Sequence, residues 1–352
     1  MKHRLVKLKK IIQEKGLGAF LVSRPINVYY LSGLKTDTSS LLVTKNENII
    51  MTDFRYKEDA CEIPGFRVEL VDADFKDALK NILRGLGIKS LGFEANHLSY
   101  CRAAALKELL KKQWIRFEPV KGAIEGLRIY KDEAEIHQIR RCLRIAGKAL
   151  GELKGRIRSG ATEKGLSVML ESLIRSNGGD GCAFDSIIAS GKNSSRPHAN
   201  LTGRALEKND HVLIDFGVRS SWYNCDLTRV FFLGRIQRIL KNMYSVCLEA
   251  QRRVIAIIKP GIPVSELDRL GRDYISSRKY GDCFGHSIGH GIGLDIHEAP
   301  SVSSREKRIL QPNMVFSIEP GIYMEGAAGV RIEDMILVTE KGCEVLSDDI
   351  PK

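Results

Sequence analysis

Along the first third of the chain, short apolar runs alternate with stretches of helical spacing. In MKHRLVKLKKIIQEKG, Leu5, Leu8 and Ile12 recur at helical steps, which predicts an amphipathic helix with a basic, solvated face. GAFLVS reads as a strand, and SLLVTKNENIIMT as a hairpin with KNEN at its turn. DFKDALKNILRGLG and SYCRAAALKELLKK carry helical patterns, the first ending at glycine, while IKSLGFE and WIRFEPV read as strands. Together these predict an α/β domain over residues 1–123. The segment KGAIEGLRIYKDEAE, rich in charge and poor in core residues, marks the junction to a second domain over residues 124–352.

That second domain opens on a long apolar stripe. Ile136, Ile139, Leu143, Ala146, Leu150, Leu153 and Ile157 alternate steps of three and four, predicting a helix that stops near Ser159-Gly160. Thr162 starts another, running to about Asn177. The texture then turns β-like in AFDSIIASG, HVLIDFGV, CDLTRVFFLG, MVFSIEPGIY and GVRIEDMILVT, with helical patterns in QRILKNMYSVCLEAQRRVIAIIK and VSELDRLGRDYISSR. Strands following paired helices predict an α+β fold, with helices on one face of a largely antiparallel sheet.

Composition narrows the class without changing this picture. The 43% hydrophobic and 28% charged content is that of a globular protein, and no apolar run approaches bilayer length. The basic start lacks the apolar core of a signal peptide. A net charge of +12 invites a nucleic-acid reading, but Lys and Arg are spread among acids and form no long run, so no nucleic-acid partner is expected. The eight cysteines form no CxxC pair, which points to reduced thiols, a cytoplasmic location and no thiolate zinc site.

The chemistry concentrates in two places. GHSIGHGIGLDIHEAP holds His286, His290 and His297, and it has neither GxGxxG nor GxxxxGK[ST], so a phosphate loop is not expected. Four acids sit inside apolar strand-like runs: Asp215 in VLIDFGV, Asp226 in NCDLTRV, Glu319 in FSIEPGIY and Glu333 in GVRIEDM. A buried acid is unfavourable unless it is paired or holds a metal. Each alone reads more simply as a turn or edge residue; four together, with histidines nearby, suit two divalent cations. An oxygen-rich set with one imidazole accepts Mn, Co, Fe or Zn, and a water bridging two such ions becomes a hydroxide nucleophile near neutral pH.

In order and context, Asp215 in IDFG, Asp226 in CDLTR, His290 in GHGIG, Glu319 in IEPG and Glu333 in RIED resemble the five metal ligands of the pita-bread (M24) metallopeptidases. The resemblance covers nearly the whole chain, with PINVYYLSGL the most recognisable segment of a creatinase-type N-terminal domain. It implies a pita-bread catalytic domain holding two divalent ions, Mn or Co first, with Zn or Fe as alternatives. It implies that Asp226, His290 and Glu319 bind one ion and that Asp215 and Glu333 bridge both. Glu319 would also pass the proton of the bridging water to the leaving amine. His198, in SSRPHAN, matches a histidine flanking the substrate, His297 one that stabilises the tetrahedral oxyanion, and His286 and Arg331 match pocket positions. A homodimer is also implied.

The proline-specific branch fits best, because methionine aminopeptidases lack such an N-terminal domain and the GVRIED ending. The expected substrate is a peptide with proline at its second position, cut at the Xaa-Pro bond as a dipeptide or a short peptide. An aminopeptidase of broader or methionine specificity is the alternative, with a non-catalytic peptide-binding scaffold behind it; an intact ligand set argues for an enzyme. Dipeptide selectivity requires a cation for the proline carboxylate. Some prolidases have an arginine four residues past the HE histidine, where this chain has Ser301; Arg305 lies further on, leaving Arg331 or a partner subunit to serve.

Overall fold

The structure is a computed structural model that describes residues 2–71 and 74–352; Met1, with which the expected basic helix opens, lies outside them. The chain divides into two compact units, Met1–Arg128 and Ile129–Lys352. The division falls beyond the expected boundary at residue 123 because the junction segment carries core. Ile124 and Arg128 are buried, and Arg128 Nη1 donates to Asn27 Oδ1 at 2.9 Å within the first unit.

The first unit is a six-stranded mixed sheet flanked by helices. Its strands run, in spatial order, Arg67–Leu70, Asn48–Thr52, Ser40–Thr44, Ala19–Val22, Ser90–Glu94 and Arg116–Val120. The central strands are buried along their length, so they read as continuous apolar runs rather than alternating ones. Thr44 Oγ1 accepts from the Asn46 and Glu47 amides and so closes the hairpin turn. The Lys2–Glu14 helix buries Leu5, Leu8 and Ile12 as expected. Arg4 departs from the expected solvated face: it is buried, donates to Tyr30 O and stacks over the Tyr30 ring, centroid 4.3 Å away.

In the second unit the Glu133–Lys154 helix starts at a capping box, with Asp132 and Glu135 bonded reciprocally to each other's amides. It ends before Ile157, where the Arg156 amide tightens onto Leu153 O, so Ile157 is not part of its stripe. Glu163–Ser176 follows, with Thr162 as its N-cap. Helices Arg238–Ala256 and Val264–Ser277 bury Met243, Ala250, Val254 and Leu267 in one core with Phe316, Ile318 and Ile336 of the strands.

All strand pairs described in this unit are antiparallel, but they form four sheets rather than one. One holds Tyr223–Asn224, Val218–Ser220 and Gly181–Cys182; a second holds Leu227–Phe232, His211–Phe216 and Ile187–Ser190. Five strands make the third, in the order Glu298–Val302, Gly289–Gly291, Val315–Ile318, Asp334–Val338 and Cys343–Val345. Gly321–Met324 and Ala328–Arg331 pair alone. The ladders lapse at Gly217, Cys225-Asp226, Glu319-Pro320 and Ile332-Glu333. Pro320 has no amide to donate, and a side chain at Gly217 would collide with the Cys225 carbonyl.

Candidate metal centre

Asp215, Asp226, His290, Glu319 and Glu333 line one cleft of about 1000 Å³, together with His198, His286, His297 and Arg331. The backbone explains the convergence. Strand pairing sets Thr228 opposite Asp215, so Asp226 lies just past the end of that ladder. Glu319 and Glu333 occupy the interruptions after Val315–Ile318 and before Asp334–Val338, where the Glu319 amide donates to Ile288 O (2.8 Å) and the Glu333 amide to Thr228 O (3.2 Å). A side chain at Gly289 would overlap the Ser317 carbonyl, so glycine there lets the His290 strand approach Glu319 closely.

His290 Nε2 lies 3.6 Å from Asp226 Oδ2 and 3.4 Å from Glu319 Oε1. The potential ligand atoms of Asp226, His290 and Glu333 all fall within 4.8 Å of one another. His290 Nδ1 faces Gly291 O at 3.2 Å, an acceptor, so the proton belongs on Nδ1 and the lone pair of Nε2 faces the acids. Burial pushes its imidazolium form down, keeping the ring neutral. The other partners fix the acids by one oxygen each. Thr228 Oγ1 donates to Glu333 Oε2 at 2.8 Å, Ser317 Oγ to Glu319 Oε1 at 3.1 Å, and Arg331 Nη2 to Asp215 Oδ2 at 2.5 Å.

The remaining oxygens test whether cations fit. Asp215 Oδ1, Asp226 Oδ1 and Glu333 Oε1 are buried and have no hydrogen-bond partner. Burial, then the neighbouring carboxylates, raise Asp226 and Glu333 well above the usual carboxylate range; burial also raises Glu319, with Asp215 adding to it. Buried acids that repel one another and aim bare oxygens at a common space fit divalent cations, and the neutral imidazole completes an O-rich, N-containing donor set.

The other expected residues take different places. His297 stacks edge-on to His290, centroids 4.2 Å apart, and His198 lies exposed on the cleft wall. His286 sits off the acids: its Nδ1 lies 2.8 Å from Ser287 O and its Nε2 3.2 Å from the Tyr323 hydroxyl. Arg331 Nη1 donates to that same hydroxyl at 2.5 Å, so the Tyr323 proton points to His286. Tyr323 was not singled out in the sequence; its signal is Gly321, where any side chain would run into the Tyr323 ring. Thr228 and Ser317 were also missed, as small polar residues in apolar strands whose only mark is their position two residues from Asp226 and Glu319. Asp295 has no place on the cleft wall, and Glu298 accepts from Lys131 Nζ at 2.8 Å, both side chains buried. Arg305 is exposed and lies outside the cleft.

Residues 137–340 match metallopeptidase family M24, and residues 4–130 match the creatinase/prolidase N-terminal domain. The chain is 35% identical over 351 residues to a Xaa-Pro dipeptidase of Pyrococcus furiosus, covering 99% of this chain and 98% of that one. A solved Xaa-Pro dipeptidase from Bacillus anthracis superposes with a TM-score of 0.95 at 36% identity, covering 99% of this chain and 97% of the other. A solved X-Pro aminopeptidase from Thermotoga maritima gives 0.89 at 36% identity, covering 94% and 96%.

Proposed function

The chain belongs to metallopeptidase family M24, and on that premise we propose that it is a metal-dependent exopeptidase that hydrolyses the Xaa-Pro bond at the N-terminus of dipeptides or short peptides. The observation that carries this reading is a peptide-sized cleft lined by Asp215, Asp226 and Glu333, each with a bare, buried oxygen, in which Asp226 and Glu333 cluster with His290. In this reading Asp226, His290 and Glu319 would hold one divalent ion, and Asp215 and Glu333 would contribute to holding it and a second. The ions, Mn²⁺ or Co²⁺ first and Zn²⁺ or Fe²⁺ as alternatives, neutralise the acids and supply a water of lowered pKa.

The chain's own groups do the rest. Glu319 is the acid placed to accept a proton and return it to the departing proline nitrogen, since its Oε1 is already steered by Ser317. His297 donates to the oxyanion that develops on the scissile carbonyl, and burial keeps its ring from holding a permanent charge. His198 closes the substrate side of the cleft. Arg331 holds Asp215 in place, and through Tyr323 it orients His286 against the substrate pocket.

All eight cysteines are free, which suits a cytoplasmic enzyme. No helix among the described residues is long and apolar enough to cross a membrane. A homodimer acting on peptides follows from the family resemblance, and the spread of Lys and Arg among acids argues against a nucleic-acid partner. The test is kcat/KM for Xaa-Pro and Xaa-Ala peptides after metal removal and after reloading with Mn²⁺ or Co²⁺. Metal-restored cleavage confined to Xaa-Pro is expected. Protein shown by elemental analysis to hold metal, yet inert on every Xaa-Pro peptide, overturns the reading.

A further inference from the structure

A peptide whose scissile bond lies beside the acids must place its C-terminal carboxylate along the cleft, and the cations there decide how long that peptide is. Arg331 is committed elsewhere, donating to Asp215, Tyr323, Thr228 and Pro197 O. Arg175 is committed too: Nε and Nη2 donate to Glu171 Oε1 at 3.2 and 3.0 Å, and Nη1 donates to Asp180 O at 2.8 Å. Arg219 differs. It is exposed, lines the same cleft, and among the described residues its guanidinium donates to no partner.

Its position is set by two successive strand pairings, one in each three-stranded sheet, whose residues 181–187, with Asp215 and Arg219, line one wall of the cleft. Ile187 faces Asp215 at the inner end, the Ala183 amide donates to Gly217 O at 2.9 Å, and Gly181 faces Arg219 at the outer end. Four residues of extended chain, interrupted at Gly217, place the Arg219 backbone at most about 13 Å from Asp215. A substrate residue spans roughly 3.5 Å, so the carboxylate of Xaa-Pro stays near the acids, while that of Xaa-Pro-Yaa lies about 7 Å out. The remaining gap is within the length of an arginine side chain. Asp185 also lines this wall, on the bulge between Ile187 and Ala183 and therefore inward of Arg219. It opposes a carboxylate that stops short and is passed by one that goes further.

We propose that Arg219 is a specificity-determining residue that receives the C-terminal carboxylate of substrates longer than a dipeptide, Xaa-Pro-Yaa being the shortest that spans the gap. This rests on the exopeptidase reading above. The experiment compares kcat/KM for an Xaa-Pro-Yaa tripeptide and its C-terminal amide, at low and high salt, in the metal-loaded wild type, Arg219→Met and Arg219→Lys, with Xaa-Pro alongside. The wild type should prefer the acid to the amide by about three- to tenfold at low salt, as an exposed charge-assisted pair allows, and less at high salt. Arg219→Met should bring the ratio to near one, with Arg219→Lys in between. An acid-to-amide ratio unchanged by Arg219→Met, or a wild type that favours Xaa-Pro over Xaa-Pro-Yaa, overturns the assignment. A wild type inert on acid, amide and dipeptide alike overturns the exopeptidase reading and this assignment with it.

Discussion

Asp226→Asn should make the metal-free protein more stable while removing its response to metal. Asp226 is buried, its Oδ1 has no partner, and burial followed by Glu333, Asp215 and Glu319 raises its pKa. Two charges within the 4.8 Å that contains the Asp226 and Glu333 ligand atoms repel by about 3.5 kcal/mol at an effective dielectric of 20. Protonation caps the penalty: holding a proton at pH 7 on a group whose unfolded pKa is about 3.9 costs about 4 kcal/mol. Removing the charge should therefore stabilise the metal-free fold by about 2–4 kcal/mol, or about 5–10 °C in Tm for a unit of this size. The folded pKa is raised, so the stability contributed by the protonated acid is complete below the unfolded pKa and is lost as pH rises through the folded one. The mutant's advantage should thus grow with pH. Thermal unfolding in chelator at about pH 5, 6 and 7, then with Mn²⁺ or Co²⁺, measures it. Metal should raise the wild-type Tm and leave that of the mutant near its metal-free value. A metal-free mutant less stable than wild type at pH 7, or stabilised equally at all three pH values, refutes the charge-cluster argument.

Two further perturbations test the scaffold around the acids. Gly289→Ala puts a methyl into the Ser317 carbonyl, forcing apart the strands that carry His290 and Glu319; it should lower kcat/KM and metal content more than about tenfold and destabilise the fold by about 1–3 kcal/mol. Both quantities within about twofold of wild type would rule that out. His211 is buried 2.8 Å from Ser194 Oγ, and burial depresses its pKa, so its contribution is present above about pH 6.5 and is lost as pH falls through the folded value. His211→Gln should flatten the fall in Tm between about pH 7 and 5, and an unchanged slope counts against the assignment.

Four candidate ligands were legible because an acid in an apolar run is anomalous, and His290 because three histidines crowd one short segment; such anomalies survive without structure. Their partners were not. Thr228, Ser317 and Tyr323 are ordinary strand residues; only register shows that Thr228 lies opposite Asp215, and only the folded side chains show that the Tyr323 hydroxyl meets Arg331. The burial within the junction was hidden for the same reason. Arg128 and Lys131 look like linker charge in sequence, yet both are fully buried, one bonded to Asn27 and the other to Glu298. Long polar side chains reveal their burial only through a partner far away in sequence.

The α+β class holds, and the detail the sequence hides, four sheets rather than one, lies closest to the chemistry. Alternation predicts strands but is blind to where pairing stops, and pairing stops beside Asp226, Glu319 and Glu333. A regular ladder turns alternate side chains to opposite faces, so side chains of neighbouring strands meet only where their register matches. Interruptions release the backbone and re-aim one side chain at each break. Asp226 follows Tyr223–Asn224, Glu319 follows Val315–Ile318 and precedes Pro320, and Glu333 precedes Asp334–Val338. Asp215 stays inside its ladder, opposite Thr228 and Ile187, and the three breaks bring the other acids to the cleft it lines. Closing a break, for instance by giving residue 320 an amide able to rejoin the ladder, would be expected to restore regular pairing at the expense of the acid beside it.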